Sequence, residues 1–514
     1  LARAEWVIVQ EAFATSATCE FADLLLPAST WGEKEGTVTN SERRISRVRA
    51  AVPPAGQARA DWQIASHIGQ RLAVALGRPQ DATLLAYDTP EAIWNEHRES
   101  TRGRDLDITG LSYAQLEEEP AQWPRAQGTT QSQPRLYTDG RFATPDGRAH
   151  FAAVRWEPVA EDRVSSFPFA LTTGRLRDQW HGMTRTGTAG RLYAHSPEPC
   201  VQLNPKDLAR LGLQNGHLAE VRSTRGSLVL PVQACEELAP MQAFIAMHWG
   251  PEVLSGRDAQ GQPGLGVNVL TNSSFCPRSK QPELKHAAVQ ITPAKRLGTW
   301  SWVGMAWLPS HHVWQVRSAI QQHLSDFDYA SLVPFADPFA DLPDQTPRTG
   351  LLFRASSAQA CSEDVHQKLM HLMVLDGHET LRYEDNARSQ LRALRLSSPD
   401  GQGQRSLQAF AVVGDARSAW WLQDLLTSGK ALAWPARQWL QASRTPPEGA
   451  TPASRQVCSC LNVREDEIND HLQPLSGSEI ERLASLQQTL HCGTRCGSCL
   501  PDLKRMVRFA SAVA

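Results

Sequence analysis

The chain has 514 residues, 41% of them hydrophobic, which at about 100–200 residues per domain allows three to five domains. Fifty-two basic and 54 acidic side chains leave a formal net charge of −2, which gives no electrostatic support for a nucleic-acid partner or an anionic membrane surface. Mean hydropathy is −0.38, and no uncharged apolar run approaches the roughly 20 residues that a spanning helix needs, so no membrane partner is expected. The sequence starts at Leu1 without a charged-then-apolar leader, and an apolar strand pattern begins at once at Trp6–Val9. The expectation is the C-terminal part of a longer protein.

In chain order, Glu5–Gln10 reads as a strand, Ser16–Phe21 as a short helix, and Ala22–Leu26 as a second apolar strand ended by Pro27. Two such strands suggest a parallel pair buried on both faces, with ligands beyond its carboxyl ends, at Gln10-Glu11 and from Pro27 onward. Asp61–Leu76 has helical apolar spacing behind Asp61, a candidate N-cap. Residues 77–160 are mixed. From Phe167 to Ile291 the texture is β-rich, with strands expected at Phe167–Thr172, Ala219–Arg222, Ser227–Gln233 and Gln242–Met247. One inserted helix, Asn204-Pro205 to Leu211, is capped by Gly212. That pattern suggests a compact barrel. Residues 300–445 are mixed α/β with proline-rich breaks near 333–347, and 443–454 has linker composition. The expected domains are therefore 1–160, 165–295, 300–442 and 455–514.

Ten cysteines are unevenly spread. Cys19, Cys200, Cys235, Cys276 and Cys361 stand singly, whereas Cys458, Cys460, Cys492, Cys496 and Cys499 crowd the tail. A large chain with scattered thiols suggests a reducing, cytoplasmic setting, where a tight cluster points to metal rather than disulfides. Cys458-Ser459-Cys460 and Cys496-Gly497-Ser498-Cys499 supply four soft thiolates, suited to a diiron–disulfide cluster or to zinc. The wording Cys-x-Cys, a helical stretch, then GTRCGSCLPDLK resembles the bacterioferritin-associated-ferredoxin-like domain. That resemblance implies a small helical fold over about 455–510 and a 2Fe–2S cluster on Cys458, Cys460, Cys496 and Cys499. Cys492 is the fifth thiol and reads as a packed bystander.

Residues 22–44, ADLLLPASTWGEKEGTVTNSERR, and 58–62, ARADW, resemble the molybdopterin oxidoreductase family near its nitrate reductase branch. The fold implied is multidomain α/β: part of the family's α/β domain, a six-stranded double-psi-type β-barrel, an α/β linking domain and the helical 2Fe–2S module. The cofactor implied is molybdenum held by two molybdopterin guanine dinucleotides, with contacts falling on Gln10, Glu11, Lys34 and Asp61. Lys34 brings a point charge for phosphate, and Asp61 a carboxylate able to accept two hydrogen bonds from an amino-substituted heterocycle. Taken singly, Lys34 reads as a solvated charge and Asp61 as a helix cap. Gln10-Glu11 suits assimilatory members better than the Ser-Asp of periplasmic ones.

In the β-rich domain, Thr173-Gly174-Arg175 to Trp180-His181-Gly182 resembles the family's cofactor loop after the first barrel strand. Gly174 permits close backbone approach, Arg175 can meet phosphate, and Trp180 and His181 can pack on a heterocycle. The segment 266–289 resembles the closing segment, which implies contacts at Asn268 and Lys285. His248-Trp249-Gly250, in a Met-His-Trp-Gly run, resembles assimilatory nitrate reductases and reads equally well as a packed strand end. Residues 375–440 loosely resemble the docking segment of NAD(P)H nitrite reductases, without a glycine-rich dinucleotide fingerprint. The resemblance thus implies two-electron reduction of nitrate to nitrite by oxygen-atom transfer to molybdenum, with no catalytic residue assignable. A 4Fe–4S cluster and the molybdenum-ligating cysteine are expected before Leu1. The donor would be ferredoxin, flavodoxin or an NADH-dependent reductase subunit. A formate dehydrogenase of the same superfamily and a non-catalytic electron-transfer subunit are the alternative readings.

Overall fold

The computed structural model describes residues 1, 3–258, 260, 262, 266–283, 285–294, 300–336, 348–448, 454–458 and 460–511. The chain forms two compact units, Leu1–Glu157 and Pro158–Ala514.

In the first unit, β1 (Ile8–Glu11) and β2 (Leu24–Pro27) pair in parallel, Gln10 opposite Leu26 and Glu11 opposite Pro27. A 3-10 helix, Ala17–Phe21, makes the crossover. The expected double burial does not hold. Ile8 is 59% exposed, Leu24 48% and Leu25 39%, because two strands by themselves cannot cover both of their faces. β3 (Gly36–Thr39) and β4 (Arg44–Val48) form a hairpin, followed by the helices α1 (Asp61–Ala75), α2 (Pro90–Ser100) and α3 (Tyr113–Glu118). A short β5 (Ala121–Gln122) then adds to β4. This part has its own core of Ile45, Trp94, Ile108, Leu111, Tyr113, Leu116 and Ala121. Asp61 is not the cap of α1. Ala60 occupies that position, and Asp61 is the first helical residue, its carboxylate engaged elsewhere.

The second unit opens with the barrel. Its elements are β6 (Phe169–Gly174), β7 (Val201–Leu203), α4 (Pro205–Leu211), β8 (Leu218–Arg222), β9 (Gly226–Ala234), β10 (Gln242–Ala246), β11 (Arg257–Asp258) and β12 (Ala287–Pro293). The order β9-β7-β10-β6-β12-β8 closes through a β8–β9 pairing, giving a six-stranded ring with β11 appended to β9. β10 runs parallel to β6 and β7 parallel to β9, while the remaining ring pairs are antiparallel. Helix α4 follows the sequence signals: the Asn204 side chain accepts from the Lys206 amide, and Gly212 ends the helix at φ 68°.

Next come β13 (Trp300–Leu308), α5 (Val313–Gln321), β14 (Tyr329–Ala336), β15 (Thr349–Ser357) and α6 (Glu363–Leu372). They are followed by β16 (Leu381–Asp385), β17 (Gln390–Leu396), β18 (Leu407–Val413), α7 (Ala419–Ser428) and α8 (Ala436–Trp439). The strands form one antiparallel sheet in the order β14-β15-β13-β18-β17-β16. Period-two alternation splits β13 between two cores. Val303, Met305 and Trp307 join the barrel core with Phe410, Trp421 and Trp439, whereas Trp302, Ala306 and Leu308 face α5 and α6.

The stretch 443–454 was expected to be a linker, and its first half is fastened instead. The indole N–H groups of Trp421, Trp420 and Trp434 donate to the carbonyl oxygens of Ser443, Arg444 and Glu448 at 3.0, 3.1 and 3.1 Å. Residues 449–453 and 337–347, the latter in the proline-rich stretch, lie outside the described residues. The tail consists of β19 (Gln456–Cys458), β20 (Val463–Arg464), α9 (Glu465–Leu472), α10 (Glu479–Thr489) and α11 (Leu500–Ser511). Its core combines Val457, Ile468, Leu472, Leu486, Leu503 and Val507 with Cys458, Cys492 and Cys499.

Candidate functional site

Three of the four residues singled out in the first unit meet. Arg59 extends the sheet beyond β2, its amide donating to Pro27 O and its carbonyl accepting from Ser29 N. That alignment starts α1 beside the carboxyl ends of the strands. There Gln10 Nε2 donates to Asp61 Oδ1 at 2.6 Å and Lys34 Nζ to Asp61 Oδ2 at 2.7 Å. Lys34 leaves a 3-10 turn fixed by Glu33, which accepts from the Thr30 amide, and its ammonium lies 5.2 Å from the Trp31 ring centroid. Burial works to raise the Asp61 carboxyl, and the Lys34 and Gln10 hydrogen bonds outweigh it, holding the group below the usual carboxylate range. Glu11 turns its Oε1 to the Ala12 amide at 2.7 Å.

At the barrel, the parallel register sets Gly174 opposite Ala246, so the segments after β6 and β10 leave the same end side by side. Thr173 is buried, and a Cβ on Gly174 would press against the Phe244 ring. Arg175, Trp180 and His181 are exposed and lean on one another. Arg175 Nη2 lies 2.9 Å from His181 Nε2, its guanidinium 5.0 Å from the Trp180 centroid, and the two rings meet edge-on at 4.6 Å. Gly182 has open space where a Cβ would stand. Asn268 is exposed in a 3-10 turn tied to the same end, since the Val267 amide donates to Trp249 O. β12 pairs antiparallel to β6, with Ala287 opposite Leu171, so exposed Lys285, just before it, lies at that end too.

His248, which the sequence left open between motif and packing, is the loop's clamp. It is 1% exposed. Its Nδ1 lies 2.5 Å from His181 O, and its Nε2 accepts from the Leu176 amide at 2.9 Å. A neutral ring with the proton on Nδ1 satisfies both contacts. Burial pulls the His248 pKa below its ordinary value. Gln179, within the loop, donates to Leu192 O, while its buried Oε1 has no partner among the described residues. Neither contact was readable from the sequence. The Met-His-Trp-Gly wording was the one signal pointing to His248.

The four tail thiols gather. Cys460 Sγ lies 3.7 Å from Cys458 Sγ and 3.6 Å from Cys496 Sγ, and Cys499 reaches Cys458. Two thiolates about 2.3 Å from one tetrahedral metal stand about 3.8 Å apart, so these spacings suit ligation. Among the described residues, no group of three or more His, Cys, Asp or Glu side chains is set to hold a metal ion. Ser498 and its amide hold the Cys496 thiol below its usual value, with Cys460 and the Arg177 charge adding to the effect. Burial pushes Cys499 up to about 12 and Cys492 to about 11. Cys492 is fully buried, its thiol 3.8 Å from Leu486 O, as a packed bystander would be.

Residues 169–288 match the model of the molydopterin dinucleotide binding domain, and residues 1–71 that of molybdopterin oxidoreductase. These matches support the molybdopterin oxidoreductase family. A nitrate reductase of Klebsiella oxytoca is 31% identical over all of this chain and 53% of its own length. A nitrate reductase of Synechocystis sp. is 39% identical over 57% of this chain and 40% of its own. The F420-dependent formate dehydrogenase subunit alpha of Methanocaldococcus jannaschii is 32% identical over 56% of this chain and 39% of its own. The chain thus spans about half the length, or less, of these relatives. Among the described residues, no helix is long and apolar enough to cross a membrane.

Proposed function

We propose that the chain is part of an assimilatory nitrate reductase catalytic subunit of the molybdenum type, and that its tail is an electron-entry module. The observation that carries this reading is the span of the likenesses. The nitrate reductases of Klebsiella oxytoca and Shewanella frigidimarina align with 100% and 99% of the chain, cysteine tail included, whereas the formate dehydrogenase named above aligns with 56%.

The residues present fit the cofactor. Gln10, Lys34 and Asp61 offer an amide, an ammonium and an ionised carboxylate at the carboxyl ends of parallel strands, where heterocycles and phosphates are bound in such sheets. Arg175, Trp180 and His181 present a cation and two rings at one barrel end, on a loop whose Gln179 oxygen has no partner among the described residues. Thr173, Gly174, Gly182, Asn268 and Lys285 complete that set in our assignment. When bound, the molybdenum centre supplies the two-electron chemistry that converts nitrate to nitrite. This chain's part is to hold the dinucleotides and keep the loop rigid through His248. Cys458, Cys460, Cys496 and Cys499 suit a 2Fe–2S cluster by ligand softness, and the spacings of Cys460 from Cys458 and from Cys496 suit pairwise ligation.

The test is made on the enzyme purified from its native host. With reduced viologen it is expected to reduce nitrate, and to oxidise formate negligibly. Formate oxidation without nitrate reduction would overturn the substrate assignment.

A further inference from the structure

The barrel loop and the thiol-bearing strand are joined through one imidazole. His195 Nδ1 lies 2.8 Å from Asp178 Oδ2, and its Nε2 lies 3.3 Å from the carbonyl oxygen of Val457, the buried residue directly before Cys458. Asp178 belongs to the loop after β6 and also pairs with Arg177, Nε to Oδ1 at 3.1 Å. Arg177 lies against the His195 ring as well. The side chains of Asp178 and His195 are only 18% and 24% exposed, so water competes weakly for these contacts. Burial works to raise Asp178, and His195 and Arg177 outweigh it, keeping an ionised acceptor under the ring. The His195–Val457 contact spans 262 residues of sequence and exists only where the tail module rests on the barrel.

We propose that Asp178 and His195 are positioning residues, a latch that seats the thiol module on the barrel's ligand loop. Asp178 Oδ2 and Val457 O both accept, so the latch is closed when both ring nitrogens donate: Asp178 orients the ring, the ring holds Val457, and Val457 fixes the backbone that carries Cys458. A rim ion pair would do none of this. The Glu237–Arg505 contact between barrel and tail, at 3.4 Å with both groups well exposed, is such a pair and adds little. The inference rests on the iron–sulfur reading for its electronic consequence and not for its mechanical one.

The test uses the full chain reconstituted with iron, as wild type and as His195→Ala, His195→Gln and Asp178→Asn. In His195→Ala, amide hydrogen exchange over 456–464 is expected to quicken roughly fivefold, the factor carried by one hydrogen bond of ordinary net strength. Asp178→Asn keeps shape and should give a smaller increase. His195→Gln, whose amide can still donate to Val457 O, should restore near-normal exchange. By EPR-monitored titration, His195→Ala should shift the cluster's reduction potential, because the backbone that carries Cys458 loses its hold. Unchanged exchange in His195→Ala overturns the latch. Faster exchange with an unmoved potential overturns the positioning role and leaves a structural contact. If the wild-type chain takes up no iron, the iron–sulfur reading falls and the exchange series still decides the latch.

Discussion

Asp61 shows how a residue with a plain sequence explanation acquires another role in the fold. Its carboxylate is shared between Gln10 and Lys34 rather than spent on its own helix terminus. Lys34→Glu or Asp61→Ala is expected to lower guanine-nucleotide and molybdenum content in the intact enzyme, with depletion partial because many groups share the ligand. Loss of one charge-assisted contact corresponds to about 10- to 150-fold in affinity. Because its folded pKa lies below the ordinary value of 3.8, any stability from the Asp61 cluster is present above that pH and is lost as pH falls through the lowered value. His248 titrates with the same sense for a different reason. Burial lowers its pKa from 6.5, so the neutral clamp is intact above 6.5 and weakens as acid protonates first the unfolded and then the folded ring. An NMR titration should find its pKa below 6.5. His248→Ala should cost about 1–3 kcal/mol by stranding the Leu176 amide and His181 carbonyl, read by chemical denaturation. A pKa at or above 6.5 would contradict the clamp.

At the scale of elements, the tail module and the paired strands of the first unit make opposite points. The module's four ligand candidates were legible because metal chemistry needs particular atoms at particular spacings, and those survive in the sequence. A segment of this size buries little apolar surface, so a metal centre suits its stability. Alanine at Cys458, Cys460, Cys496 or Cys499 should abolish or alter the visible absorption and EPR signal of the iron-loaded protein, while Cys492→Ala should leave both nearly unchanged. Stoichiometric zinc without iron in protein from the native host would refute the electron-entry role. The strands β1 and β2 were legible as strands, and their burial was not. Leu24 and Leu25 have the composition of a covered sheet, but composition does not say whether a cover is present. The stretch 443–448 misled in the other direction: proline and serine imply looseness, and three tryptophan N–H groups fasten it. The strands of the α/β domain went unassigned because short apolar runs such as Trp302–Leu308 fit a buried helix as well as a strand.

Over the whole molecule, local signals carried helix α4 and four of the six ring strands, and missed β7 and β12. Contacts joining distant segments were invisible: His248 to Leu176 and His181, 72 and 67 residues away, and His195 to Val457. Such pairings arise from closure of the fold, which no local pattern encodes. That closure has a mechanical meaning. With β9 gripped by both β7 and β8, the ring has no free edge among the described residues, and its hydrogen bonds act as a hoop. A tug on the segment after β6 is borne on either side by β10 and β12, and passes around the circumference instead of peeling one strand away. The rim's diameter is therefore set by the hoop and not by the loops mounted on it. Loops at that end can be lengthened, shortened or exchanged for other chemistry while the spacing between their roots stays fixed.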